Sequence, residues 1–160
     1  MNKVVFLDRD GVVNVERGEY TWKVEDFKLT VGLIGFIQNV IEKGYFVIII
    51  SNQGGIGRGV YTLEDVEKAH QYLKEELGKN NLSLTDIYIC PHHPATGNCL
   101  CRKPGSQMLE KAIARYDVDI KNSYFIGDSK RDIEAGQKVN LNTILITPND
   151  DLREYIPQIN

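Results

Sequence analysis

Short apolar runs, each stopping at a polar cluster, alternate along this chain with segments of helical period, and few architectures accommodate that alternation. Residues 3–7, 45–51, 86–90, 123–126 and 141–146 are compact and rich in Val, Ile, Phe or Tyr, as buried strands are. Between them, residues 31–43 place Leu33, Ile34, Ile37 and Ile41 on one helical face, with Gly44 as a C-terminal stop. Residues 62–77 predict a helix capped by Thr62, with Asp65 in its first turn and Leu63, Val66, Leu73 and Leu77 inward. Residues 106–116 group Leu109, Ala112, Ile113 and Tyr116, and a shorter helix falls near 132–139. Strands separated by helices imply βαβ units. The predicted fold class is therefore α/β, a Rossmann-like parallel sheet with helices on both faces. A length of 160 residues suits one domain, 1–160, and leaves no segment long enough for a large cap domain.

In such sheets ligands bind beyond the carboxyl ends of the strands. Four polar clusters fall there. In the first, Asp8 and Asp10 stand one residue apart after a strand, ahead of Gly11. Two carboxylates cannot both be buried and charged without a counter-ion. A divalent cation resolves that cost, and magnesium suits one or two carboxylates plus a phosphate. The alternative is an ordinary surface turn. In the second, Ser51, Asn52 and Gln53 lead into Gly54, Gly55, Gly57 and Gly59. Ser51 and the backbone N–H groups of such a loop can donate to an anion, although a merely flexible loop has the same composition.

The third cluster, residues 90–103, contains every cysteine of the chain. Cys90, His92, Cys99 and Cys101 form the Cys₃His set of a closed, structural zinc site, with free thiols as the alternative. In an extended segment Cys90 and His92 share a side, which turns His93 away. A bound zinc would fix the loop and aim Arg102 and Lys103. In the fourth cluster Asp128, again at a strand end, can complete the magnesium shell. Asp132 either orients a ligand or cation or caps the next helix.

The bulk properties exclude several partners. The net charge is −3 and no basic block occurs, which argues against nucleic acid and anionic membrane. With 42% hydrophobic and 26% charged residues the chain can bury a core. Residues 3–7 are too short and too soon followed by Asp8, Arg9 and Asp10 to be a signal peptide, and residues 45–50 are too short to span a bilayer. The odd cysteine count and the Cys-x-Cys favour a reducing, cytoplasmic location. A monomer is the expected form.

Taken in chain order, Asp8-x-Asp10, Ser51, Lys103 and Asp128-x-x-x-Asp132 resemble the haloacid-dehalogenase-like phosphohydrolases over essentially the whole length. That resemblance implies a small phosphorylated metabolite as substrate, with Asp8 as nucleophile, Asp10 as general acid and base, Ser51 on the phosphoryl oxygens and Lys103 neutralising charge. It also implies magnesium on Asp8, the Asp10 backbone carbonyl and Asp128. Asp8-Arg9-Asp10-Gly11, Asn14, Asn52-Gln53-x-Gly55-Ile56-x-Arg58-Gly59, Cys-Pro-His-His-Pro and Cys-x-Cys-Arg-Lys-Pro are similar to the D-glycero-D-manno-heptose 1,7-bisphosphate 7-phosphatases. Histidinol-phosphate phosphatases are their relatives, and a broader sugar phosphatase or a non-catalytic binding module are further alternatives. The heptose resemblance implies substrate contacts from Glu16, Arg17, Gly18, Glu19, Asn52, Gln53, Gly54, Gly55, Arg58 and Arg102. One departure stands out. The lysine that directly follows the fourth-motif aspartate in that family is replaced here by Ser129, which passes the role to Lys130.

Overall fold

The computed structural model describes all 160 residues. Five parallel strands form one sheet in the order β3-β2-β1-β4-β5. They are β1 (Val4–Leu7), β2 (Phe46–Asn52), β3 (Asp86–Cys90), β4 (Tyr124–Gly127) and β5 (Asn142–Leu145). The helices are α1 (Leu33–Glu42), α2 (Leu63–Gly78), α3 (Gln107–Tyr116) and α4 (Lys130–Lys138). Alternate residues of the central strands feed opposite faces, as the two-residue strand period requires. Val5, Leu7, Val47 and Ile49 pack with Leu33, Phe36, Ile37 and Val40 of α1 and Ala69, Leu73 and Leu77 of α2. Val4, Phe6, Ile48 and Ile50 pack with Met108, Leu109 and Ala112 of α3 and Ala135 of α4. Both faces are covered, so the strands read as unbroken apolar runs.

Several boundaries differ from the sequence expectation. Gly32 adopts a left-handed φ of 77°, so α1 begins at Leu33 and Val31 stays outside it. The buried stripe of α1 is Leu33, Phe36, Ile37 and Val40, the i, i+3, i+4, i+7 pattern, and Ile41 is left 36% exposed. Leu63, expected inward, is 50% exposed at the first position of α2, where it walls a surface groove shared with β3. Thr62 caps α2 as expected, in a reciprocal capping box with Asp65. The fourth helix starts at Lys130 rather than near Asp132, because Ser129 is the N-cap and Asp132 its capping-box partner. A 3₁₀ segment, Leu152–Gln158, closes the α1 face of the core through Leu152. No helix is long and apolar enough to cross a membrane.

Candidate active site

The chain crosses the β1 end through Asp8, whose backbone N–H still pairs with the Ile126 carbonyl at 3.0 Å. It then turns at Gly11, with φ +85°. A Cβ on Gly11 would stand 2.0 Å from Asp128 Oδ2, so only glycine lets the β4 carboxylate close on this turn. Lys103 Nζ, buried, donates to Asp8 Oδ1 at 2.6 Å and to the Ile50 carbonyl at 2.8 Å, and it pairs with Asp132 Oδ1 at 2.7 Å. Oxygens of Asp8, Asp128 and Asp132 lie within 4.8 Å of one another. Two of the three carboxylates pair with the one ammonium, and the third, Asp128, stands beside them. Burial, and then the charges of Asp132 and Asp128 against that of Lys103, push the Asp8 carboxyl up to about 8. Burial and Asp132 raise Asp128 as well. The cluster is short of positive charge, and an all-oxygen donor set suits a hard divalent cation. Asp132 both pairs with Lys103 and caps α4, so the two roles open to it in sequence are held together.

The Asp10 carboxylate lies outside that group. Its Oδ1 accepts from Arg9 Nη2 at 2.9 Å and from Asn14 Nδ2 at 3.0 Å. Burial pushes Asp10 up, but the Arg9 charge and donation from Arg9, Asn14 and Gln53 outweigh it and hold the carboxyl below its ordinary range. Ser51 is buried at the end of β2 and accepts from Gln53 Nε2 at 2.7 Å. Gln53 in turn accepts from the Tyr61 hydroxyl at 2.7 Å, so both ends of its amide are engaged within the protein.

The cysteine loop leaves β3 at Cys90. His92 Nδ1 lies 3.5 Å from Cys90 Sγ and 3.2 Å from Cys101 Sγ, and Cys90 Sγ lies 3.7 Å from Cys99 Sγ and 3.0 Å from Cys101 Sγ. Around a tetrahedral zinc with bonds of about 2.3 Å, ligand atoms stand about 3.8 Å apart, close to this spacing. The thiols are free of disulfides. Burial raises Cys99, but backbone donors at Arg102 and Cys101 and the neighbouring sulfurs bring it down to about 7, toward the thiolate a metal requires. His93 turns away and accepts from the Ala95 N–H at 3.0 Å. Asn52 grips the loop's far end, donating to the Lys103 carbonyl at 3.1 Å and accepting from its N–H at 2.9 Å.

These elements wall one cavity of about 690 Å³. Of the residues singled out from sequence, Asp8, Asp10, Glu16, Gly18, Glu19, Asn52, Gln53, Gly54, Arg58, Arg102, Lys103 and Asp128 line it. Arg17, Ser51, Gly55 and Lys130 do not. Arg17 pairs with Asp26 at 3.4 Å, and the ring of Tyr61 lies over Gly55. Ser129 and Arg131 occupy the wall at the position expected for Lys130.

A family profile described as HAD-hydrolase-like matches residues 100–157. D-glycero-alpha-D-manno-heptose-1,7-bisphosphate 7-phosphatase of Campylobacter jejuni is 38% identical over 95% of this chain and 86% of its own. D-glycero-beta-D-manno-heptose-1,7-bisphosphate 7-phosphatase of Helicobacter pylori is 40% identical over 91% of this chain and 84% of its own. The chain belongs to the heptose bisphosphate phosphatase family of haloacid-dehalogenase-like hydrolases. Its structure superimposes on D,D-heptose 1,7-bisphosphate phosphatase from B. bronchiseptica, complexed with magnesium and phosphate, with a TM-score of 0.86 at 29% identity, covering 98% of this chain and 86% of that one. This is a phosphatase of the aspartate-nucleophile class.

Among the residues around the phosphatase site that sequence reasoning overlooked, Tyr20, Thr21 and Arg131 line the cavity. Arg9 and Tyr61 are buried members of the same wall, hydrogen-bonded to Asp10 and Gln53, and their roles depend on side chains brought in from other segments. Asn149 holds residue 16 through both its amide atoms, at 2.7 and 3.2 Å, across 133 residues of sequence. His70, on α2, lies 3.5 Å from Arg9 Nη1. Burial first, and then the Arg9 charge, lower His70 to about 3. In the unfolded chain it would take a proton near 6.5. The unfolded state therefore binds more protons between those values, and stability falls as pH drops through that window. In thermal melts from pH 7 to 4, wild type should be more acid-sensitive than His70→Gln by up to about 1.4 kcal/mol per pH unit. An unchanged acid slope in the variant would refute this.

Proposed function

We propose that this phosphatase removes the 7-phosphate of D-glycero-D-manno-heptose 1,7-bisphosphate through an aspartyl-phosphate on Asp8. The observation that carries the substrate is the cavity wall. Arg58, Arg102 and Arg131 share it with the aspartate cluster, so a second anionic group has cationic partners away from the reacting one. The relatives named above act on such a bisphosphate. The whole chain works as one domain, with residues 16–21, the glycine-rich loop and the cysteine loop in place of a cap.

Asp8 attacks phosphorus as the bond to the sugar oxygen breaks, and that oxygen takes a proton from Asp10. Asp10, now a carboxylate, takes a proton from the water that attacks the aspartyl-phosphate, which returns Asp8 and releases phosphate. The resting state, with Asp10 below its ordinary range, is the base form of this cycle. The negative phosphoryl group raises its proton affinity in the first step. Lys103 offsets charge on Asp8, and Ser51 holds a phosphoryl oxygen. Magnesium, held by Asp8, Asp128 and the Asp10 carbonyl, would neutralise charge on the transferring group. Zinc on Cys90, His92, Cys99 and Cys101 is structural, since four protein ligands leave no open position.

The test is phosphate release with magnesium from α- and β-heptose 1,7-bisphosphate, histidinol phosphate and common sugar monophosphates. The bisphosphate should exceed every monophosphate in kcat/KM by about a hundredfold or more, the size of effect a site built for a second charged group achieves. Preference for histidinol phosphate would overturn the substrate and leave the chemistry standing.

A further inference from the structure

Arg9 is the largest fully buried side chain of the protein. A guanidinium is costly to bury, and this one is only partly compensated, because its Nε has no hydrogen-bond partner. Its remaining contacts converge on the site. Nη2 donates to Asp10 Oδ1 at 2.9 Å and also to the carbonyl of Thr21, in the loop that walls the cavity. Nη1 faces His70 Nε2 at 3.5 Å, and the guanidinium lies 5.4 Å from the Phe27 ring centroid. Asn14, fully buried, adds a second donor to the same Asp10 oxygen at 3.0 Å.

The two oxygens of Asp10 are therefore unlike. Oδ1 is saturated by two buried donors and has no room for a proton. Oδ2 has one long contact, from Gln53 Nε2 at 3.4 Å. We infer that Arg9 and Asn14 are positioning residues that commit Asp10 Oδ1 to the protein, so that Oδ2 alone carries the proton to the leaving oxygen and from the attacking water. Because Arg9 Nη2 also holds Thr21, the same nitrogen joins the orientation of the acid and base to the loop at residue 21. This rests on the roles given to Asp8 and Asp10 above.

Leaving groups separate positioning from general support. A sugar alkoxide needs the proton from Asp10 as the ester bond breaks, and 4-nitrophenolate leaves without one. With enzyme in excess over heptose bisphosphate, Arg9→Lys should slow the first turnover by about a hundredfold, the usual range for lost general acid catalysis. With 4-nitrophenyl phosphate the first turnover should slow by less than about fivefold. Hydrolysis of the aspartyl-phosphate still needs Oδ2 as base, so a burst of about one nitrophenolate per enzyme should precede a slow steady state. Asp10→Asn is the reference and should show the same selectivity more strongly. Asn14→Leu removes only the second donor and keeps Arg9. It should show the same selectivity at smaller size, and it decides the matter if Arg9→Lys does not fold. Equal slowing of both substrates in the Arg9 or Asn14 variant, with selective slowing in Asp10→Asn, would overturn the inference alone. Equal slowing in Asp10→Asn would overturn the assignment of Asp10 and the inference with it.

Discussion

Asp8→Asn should abolish turnover and, in metal-free protein near neutral pH, raise the melting temperature. The loss of activity follows from chemistry. An amide cannot form the aspartyl-phosphate, and removal of a nucleophile that splits the displacement in two costs more than about 10⁴-fold in kcat. The gain in stability follows from electrostatics. Asp8 shares Lys103 with Asp132 and lies beside Asp128, and its carboxyl is pushed from an ordinary 3.8 to about 8. Between those values the folded state binds a proton that the unfolded chain does not, so folding weakens as pH rises through that window. At pH 7 the penalty is on the order of 4 kcal/mol, and the amide removes it while still accepting from Lys103 Nζ and the Arg9 N–H. Melts of chelator-treated protein from pH 6.5 to 8, above the window in which His70 titrates, should show wild type losing stability as pH rises and the variant losing less. Saturating magnesium should then raise the wild type by about 2–3 kcal/mol and the variant by less. A variant less stable than wild type at pH 7 without metal would contradict the charge excess described here. Substantial retained turnover would remove Asp8 as the nucleophile.

The parallel sheet and the strand-end carboxylates were legible in sequence because each is local. The apolar runs of the central strands report burial on both faces, and Asp8, Ser51, Cys90 and Asp128 fall where those runs stop. The cysteine set was legible because its spacing is short and every cysteine is spent on it. The remainder depends on contacts between distant segments. Nothing in the surroundings of Arg9 marks it as buried, since its partners Thr21, Phe27 and His70 belong to the following loop and to α2. Gln53 reads as a free ligand in a glycine-rich loop until Tyr61 and Ser51 are seen to occupy its amide. Lys130 and Arg131 differ by one position, and only the capping box that starts α4 at Lys130 decides which of them meets the cavity.

Zinc removal should stop the enzyme although no zinc ligand lines the active-site cavity. Cys101 lies two residues before Lys103, whose ammonium reaches both Asp8 and Asp132, and Arg102 donates to the His92 carbonyl at 3.2 Å on the cavity side of the loop. A Cβ on Gly54 would stand 2.8 Å from Arg102 Nη1 and 3.2 Å from the His92 carbonyl, so the cysteine loop and the glycine-rich loop are packed together as one wall. Without the ion, three sulfurs and an imidazole at 3.0–3.7 Å have only weak mutual hydrogen bonds to hold them. Asn52 would remain the one side-chain grip on the Lys103 backbone. Purified protein should therefore carry one zinc per chain. A strong chelator, or Cys99→Ser, should lower kcat by about a hundredfold or more, since a charge-offsetting group displaced by an ångström costs that much. The core stands on its own two apolar clusters, so the melting temperature should fall by only about 4–8 °C, corresponding to roughly 2 kcal/mol of lost loop packing. New protease cleavage should be confined to residues 91–100, and added zinc should restore wild-type activity and protection together. Full activity and an unchanged melting temperature in protein shown to be free of zinc would remove the metal from the structure of this loop. Recovery of protection without recovery of kcat would separate the loop from the aim of Lys103.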